Sequence, residues 1–245
     1  MSTTTPPSPI ARSSSSEIGT TGSAASASAS ASGTTSLGVT APINFAPQDD
    51  SDELARAELY GLLARLWLAP PDGELMAQFK VAVTQAPVPG GLLEAPWGQL
   101  VAAMRATTPQ AAADEHEALL HGVGKPEDFA YGSYYLTGFL NEKPLAALRH
   151  NLAALGLARD EARVETEDHV AYGFEVMRYL IAGDDISVCN LEQQRRFFRA
   201  HLQPWVDALC DAVEAHPRAD TWRAVAGLTR HFLLVETQAF DMLES

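Results

Sequence analysis

Apolar residues return at helical spacing through most of the chain beyond residue 50. Between Asp52 and Leu68, leucine and alanine recur every three or four positions, which predicts an amphipathic helix that Asp52 caps and that ends before the Pro70-Pro71 pair. Comparable patterns predict helices over residues 74–84, 97–106, 109–121, 144–156, 166–182, 190–216 with a break at Pro204, and 220 onwards. Residues 125–140 are less regular, residues 157–165 read as a polar loop, and the sequence has no clear strand-type alternation. The expected fold is therefore all-α, with one globular helical domain.

The first 49 residues have a different composition. They consist mainly of Ser, Thr, Ala, Gly and Pro, and their charged residues are Arg12, Glu17 and Asp49. Such a segment buries too little apolar surface to offset its ordering entropy, so we predict a disordered tail over 1–49 and a helical domain over 50–245. The tail lacks the basic and apolar regions of a signal peptide, and the chain has no long uninterrupted apolar run. These features predict a cytoplasmic protein without stable membrane insertion.

The net charge of the chain limits the classes of partner that it can bind. The formal net charge is −14. Nucleic-acid phosphates need Lys and Arg, so this balance argues against nucleic-acid binding. It would favour a basic partner through long-range steering, but taken alone the acidity is better explained as an aid to solubility. The two cysteines, Cys189 and Cys210, form no metal-type spacing and are expected to be reduced, buried thiols.

Two segments resemble enzyme motifs without meeting their requirements. His116 and His121 are five positions apart, whereas the zinc-binding helix motif needs histidines four apart so that both lie on one face. The run Gly122–Lys125 lacks the first glycine of a phosphate-binding loop and is followed by Pro126 where Ser or Thr would hold magnesium. The sequence offers no credible nucleophile, and we expect no catalytic residues, no metal and no cofactor.

The segment 165–169 is the most informative. It places Glu165, Asp168 and His169, together with Glu167, at the start of a predicted helix that Thr166 can cap. The helix dipole favours carboxylates at this position and disfavours a protonated histidine, but tolerates a neutral imidazole that is hydrogen-bonded to a neighbour. A metal site formed by Glu165, Asp168 and His169 is conceivable, although the sequence shows no second ligand cluster.

The segment 165–177, with its Glu-x-x-Asp-His motif followed by Glu175 and Met177, resembles the signature of the TorD/DmsD family of chaperones. The run Tyr131–Gly138 is similar to the family's Ser-x-Tyr-Leu segment, which precedes the acidic motif by about thirty residues. With weaker similarities in residues 114–122 and 198–205, the resemblance covers roughly residues 52–240, which is the whole globular part. The sequence departs from the family where Thr166 and Glu167 stand in place of a frequent proline, and in its long tail.

The resemblance implies an all-helical chaperone, not an enzyme. Members bind the apo catalytic subunit of a molybdenum-cofactor oxidoreductase, or its N-terminal twin-arginine signal peptide, and hold it until the cofactor is inserted. The implied client-binding residues are Glu165, Asp168, His169, Tyr131, Ser133, Tyr134 and Tyr135. Glu165 and Asp168 would pair with arginines, while the tyrosines and Phe139 would contact the apolar part of the peptide.

Several alternatives stay open at this stage. One rival is a helical metal- or cofactor-binding enzyme using Glu165, Asp168 and His169. A second is a helical regulator, for which Arg195, Arg196 and Arg199 form the nearest basic run. Formate dehydrogenase, a dimethyl-sulfoxide-type reductase and a nitrate reductase all remain possible clients, with or without a bound nucleotide or pterin. Some family members dimerise by exchanging helices, so the chain is expected to be a monomer or a domain-swapped dimer.

Overall fold

The computed structural model describes residues 10–12, 50–84, 90–121, 130–160 and 164–243. The described part is all-helical apart from two short strands, which confirms the predicted fold class. The helices are α1 (Asp50–Leu68), α2 (Gly73–Val81), α3 (Glu94–Ala106), α4 (Pro109–His116), α5 (Gly132–Thr137), α6 (Lys143–Ala154), α7 (Val170–Ala182), α8 (Leu191–His201), α9 (Val206–Ala215) and α10 (Thr221–Met242). None of these described helices is both long enough and apolar enough to cross a membrane.

Helix α7 forms the centre of the domain and packs along α1. Nine of its thirteen residues are buried, including Val170, Phe174 and Met177, which recur at helical spacing. The Tyr60 ring of α1 contacts Phe174 and also Phe232 of α10, at centroid separations of 5.9 and 4.7 Å. Three helices thus meet in one aromatic core.

A buried polar cluster ties α1 to α10 within this core. Glu236 is 2% exposed and accepts two hydrogen bonds from the Arg56 guanidinium, at 2.9 and 2.8 Å, and a third from the Tyr60 hydroxyl at 3.0 Å. Burial and the neighbouring Glu236 carboxylate raise the pKa of Tyr60, which therefore stays protonated as the donor. The carboxylate is stable at this depth because each of its oxygens is hydrogen-bonded.

The structure corrects the strand prediction. Residues Leu157–Arg159, expected to be loop, form strand β2, which pairs antiparallel with β1 (Ile10–Arg12). Strand β1 belongs to the segment predicted to be disordered. The remainder of residues 1–49 lies outside the described residues, as does the run Gly122–Lys125. The sequence missed these strands because three-residue segments are too short to show a period.

Three further local predictions differ from the structure. Residues 132–137, expected to be irregular, form α5, which ends at Gly138 with a φ of 82°, a left-handed conformation that glycine adopts without strain. The helix predicted over 109–121 is α-helical only to His116 and continues as a π-helical turn over Glu117–His121. Helix α7 begins at Val170, so its cap is His169 and not Thr166.

Candidate functional site

A single backbone bridge brings the two segments of interest together. The backbone amide of Gly132 donates to the carbonyl of Asp168 at 2.9 Å, and the amide of Val170 donates to the carbonyl of Ala130 at 2.8 Å. Tyr131 and His169 are therefore paired as in an antiparallel sheet. This pairing places the start of α5 against the start of α7, so residues more than thirty positions apart form one site.

The Asp168 carboxylate secures this junction. It is 7% exposed, and its Oδ2 accepts hydrogen bonds from both the backbone amide and the hydroxyl of Ser133, at 2.9 and 2.5 Å. Its Oδ1 accepts from the Thr166 hydroxyl at 2.7 Å. Ser133 itself is fully buried. Both oxygens of Asp168 are thus engaged within the protein, which gives the residue a positioning role in this structure.

His169 is buried and caps α7. Its Nδ1 accepts a hydrogen bond from the backbone amide of Ala171 at 3.2 Å, so Nδ1 carries no proton in this arrangement. The helix dipole disfavours a positive charge at a helix start, and a neutral imidazole carries none, so His169 is compatible with this position. The His169 ring lies edge-on to Tyr131 at a centroid separation of 5.1 Å.

Glu165 lies at the edge of the site, half-buried. It accepts a hydrogen bond from the Tyr131 hydroxyl. Burial and this carboxylate raise the pKa of Tyr131, so the hydroxyl stays protonated and serves as a donor. Glu165 is more accessible to a partner than Asp168 and His169, which are 7% and 3% exposed.

Glu167, which the sequence assigned only to the helix dipole, forms ion pairs instead. Arg149 of α6 donates to it through two nitrogens, at 2.9 and 2.8 Å, and Arg159 of β2 lies 3.7 Å away. Although burial acts to raise the pKa of Glu167, the Arg149 hydrogen bond and both positive charges lower it overall. Glu167 therefore connects the motif to α6 and β2.

The aromatic residues named from the sequence divide into two groups. The Tyr135 ring stacks on Trp205 at 5.7 Å, and Tyr134 lies edge-on to Tyr135, so both contribute to packing. Phe139 is instead 69% exposed. Together with Leu136 and Leu140, at 42% and 41%, it forms what we call the exposed apolar patch. Helical periodicity could not identify this patch because it spans the end of α5 and the turn that follows.

A pocket of about 90 Å³ lies between the patch and the acidic motif. Its lining combines apolar side chains with polar groups of the motif, among them Leu136, Leu148, Glu167, Asp168, His169, Phe197, His201 and Trp205. Burial lowers the pKa of His201 to about 4, and its Nε2 lies 2.8 Å from the Asn151 amide nitrogen. Trp205 and His201 come from distant segments, so no local motif could have placed them here.

The histidine and cysteine considered as reactive groups from the sequence make structural contacts. His116 is buried with its ring edge-on to Trp222, at a centroid separation of 5.0 Å. Burial raises the pKa of the Cys210 thiol, which favours the protonated form. Over the described ranges, no group of three or more His, Cys, Asp or Glu side chains is arranged to hold a metal ion.

The chain is similar to a known protein family. The family model described as nitrate reductase delta subunit matches residues 91–211, about half of the chain. The matched range contains the Asp168–Ser133 contact and the pocket beside it. A comparison with curated proteins gives no match.

Proposed function

We propose that this chain, which belongs to the TorD/DmsD type of molybdoenzyme chaperone, binds the N-terminal signal peptide and the apo catalytic subunit of a molybdenum-cofactor oxidoreductase in the cytoplasm. The family is a chaperone family, not a catalytic one. We propose accordingly that the chain catalyses no reaction and needs no cofactor of its own.

The observation that carries this proposal is the Asp168–Ser133 contact with the exposed apolar patch beside it. The contact joins the two segments on which the family resemblance rests. Leu136, Phe139 and Leu140 leave large apolar surfaces in solvent, and such patches mark sites of interaction with other proteins. An apolar peptide segment seated on the patch would remove this surface from water.

A signal peptide also carries arginines, and the acidic motif supplies a partner for them. Glu165 is half-buried, and its carboxylate can pair with a guanidinium when it exchanges the Tyr131 hydrogen bond. Asp168 holds the start of α7 against α5 and contributes indirectly. The net charge of −14 favours encounter with a basic segment.

The test is a pull-down from the native cytoplasm with bait variants, identifying the captured proteins by mass spectrometry. The informative variant is Phe139→Ser, and the matched control is Ile186→Ser, because Ile186 is 86% exposed in the loop between α7 and α8. Wild type and control are expected to recover one molybdoenzyme catalytic subunit, and Phe139→Ser to lose it. Equal recovery by all three would reject the patch as the binding surface.

The alternative, a helical metal-binding enzyme, is tested by measuring bound metal. Metal analysis of the purified chain would favour that alternative if it found stoichiometric metal that His169→Ala removes, together with no redox subunit in the pull-down. Capture of a molybdoenzyme subunit by a metal-free chain supports the chaperone instead.

A further inference from the structure

A basic groove lies next to the candidate site. Helix α8 carries Arg195, Arg196 and Arg199 within five positions, and the one-turn spacing brings Arg199 alongside the other two. Across from them lies the C-terminal half of α6, and the space between is a groove of about 600 Å³. We call it the α6–α8 groove; its lining is Asn151, Ala154, Leu155, Gln193, Arg195, Arg196, Phe197, Arg199 and Ala200.

The charge of this groove contrasts with that of the whole chain, in which 17 Lys and Arg face 31 Asp and Glu. Arg195 pairs with Glu192 and Arg199 with Asp241, but both carboxylates are mainly exposed, at 56% and 62%. Such pairs contribute little and exchange readily. Arg196 is exposed and forms no ion pair with any residue that the structure describes. The groove therefore offers guanidinium groups to an anionic partner.

The lining identifies the kind of anion. The lining also has apolar residues: Ala154 and Ala200 are exposed, and Leu155 and Phe197 are buried beneath them with only their edges at the groove. A free phosphate makes no use of such surface, whereas a peptide that carries carboxylates and apolar side chains uses both parts of the groove. A nucleic acid needs a row of Lys and Arg along its phosphates, whereas the lining of this groove supplies three arginines.

The groove is continuous with the candidate site. Phe197 and Ala200 line both the groove and the pocket that contains Asp168 and His169. A peptide in the pocket can therefore extend into the groove without leaving the surface. One end of this path is acidic, at Glu167 and Asp168, and the other is basic, at α8.

We propose that the α6–α8 groove binds an acidic segment of the client protein, with Arg196 and Arg199 pairing with its carboxylates. This inference rests on the proposed function. It adds a second binding site for the client and the orientation in which the client lies across the surface. The basic and apolar part of the client lies at the acidic motif and the exposed apolar patch, and an acidic part lies along α8. Guanidinium groups suit this role because they bind carboxylates through two parallel hydrogen bonds.

The test uses the full-length chain and a short fluorescein-labelled peptide of Glu, Leu and Ala, followed by fluorescence anisotropy. The comparison peptide has Gln in place of every Glu. The protein variants are Arg196→Gln with Arg199→Gln, and the matched control is Arg65→Gln, at an exposed arginine of α1. We expect the Glu peptide to bind, the Gln peptide to bind more weakly, and each lost arginine to weaken binding roughly fivefold. The Arg65→Gln protein should bind as wild type does.

Three results would overturn the proposal: equal affinity for the Glu and Gln peptides, wild-type affinity in the double variant, or displacement of the Glu peptide by inorganic phosphate at concentrations well below those of the peptide. The last would assign the groove to phosphate. Phe139→Ser separates this proposal from the proposed function. It should abolish client capture and leave Glu-peptide binding unchanged. If client capture depends on Phe139 but the Glu peptide binds equally well without the arginines, the groove proposal is rejected and the proposed function stands.

Discussion

Asp168 accepts hydrogen bonds from both the backbone amide and the hydroxyl of Ser133, a residue 35 positions earlier in the chain. Through this contact a carboxylate at the start of α7 fixes the start of α5. The geometry of the candidate site therefore depends on one buried side chain whose two carboxylate oxygens are both engaged within the protein.

Removing this carboxylate should destabilise the protein. Asp168→Ala leaves the buried Ser133 amide and hydroxyl without their acceptor, and each buried unsatisfied group costs about 1–3 kcal/mol. We expect the free energy of unfolding, measured by urea denaturation, to fall by about 2–4 kcal/mol. The control is Asp184→Ala, at an exposed position, which should change it little. Equal stability of Asp168→Ala and wild type would mean that the contact contributes nothing.

Client binding should depend on the same contact for a geometric reason. Ser133→Ala removes the hydroxyl donor and keeps the backbone hydrogen bond, so we expect a smaller loss of stability, about 1 kcal/mol, and partial loss of client capture in the pull-down. Client capture that fails completely in a stably folded Ser133→Ala protein would instead point to direct contact between Ser133 and the client.

Glu115 should act as a helix cap supplied by a neighbouring helix. Its carboxylate, in α4, accepts hydrogen bonds from the backbone amides of Asp220, Thr221 and Trp222 at the start of α10, at 2.8 to 3.1 Å. Glu115→Ala should lower the melting temperature, with a loss of about 1–2 kcal/mol in thermal unfolding.

The adjacent substitution Asp114→Ala is the control for this cap. Asp114 is exposed and accepts one hydrogen bond from Gln110 within the same helix. A melting temperature that falls equally for both variants would show that the Glu115 effect arises within α4 and not at α10.

Gly132 should not tolerate a methyl group. A Cβ at this position would lie 3.1 Å from two atoms of the Trp205 ring, which is buried and stacked on Tyr135. Gly132→Ala is expected to destabilise the protein by about 1–3 kcal/mol because the ring has little room to move. Gly98→Ala is the opposite case, since nothing lies within 4 Å of its Cβ in α3, and should stabilise slightly. Differential scanning calorimetry of the two variants measures the expected fall and the expected rise in melting temperature. Equal melting temperatures for both variants would contradict the packing argument.

The stability of the protein should decline below pH 6.5 in part because of His201. Burial lowers the pKa of this imidazole from 6.5 to about 4, so between these values the unfolded chain binds a proton that the folded chain does not. The free energy of unfolding therefore falls as the pH decreases through this range, by no more than about 3 kcal/mol from this group.

His201→Gln should lessen this pH dependence in urea denaturation at pH 7 and pH 4.5. The control is His150→Gln, at a histidine that is exposed to solvent in the folded protein. A wild-type pH dependence in the His201 variant would show that other groups account for it.

Deletion of residues 1–47 should change the thermal stability little. The structure describes Ile10–Arg12 from this segment, and their three-residue pairing with β2 is a small contribution beside the helical core. Circular dichroism melting of the full-length and shortened chains gives the comparison. A large fall in melting temperature would reject the disordered-tail proposal.

The sequence by itself determined the class of fold and most helix ends. Helical spacing of apolar residues, together with Pro109 and Asn190, predicted where helices begin, because these signals act within a few residues of the backbone groups that they satisfy. It also located the acidic motif and the Tyr131–Gly138 segment that carry the resemblance to a chaperone family, and the family match covers both.

Only the tertiary structure decided which contacts these residues make within the protein. The resemblance implies that Asp168 pairs with arginines and that Tyr135 contacts an apolar peptide segment, and both roles stay predictions. Folding adds the contacts of Asp168 with Ser133 and of Tyr135 with Trp205. The exposed apolar patch and the α6–α8 groove likewise depend on which helix faces remain uncovered. Spacing along the chain encodes local hydrogen bonds, while burial depends on contacts between segments far apart in sequence, and no local pattern records those contacts.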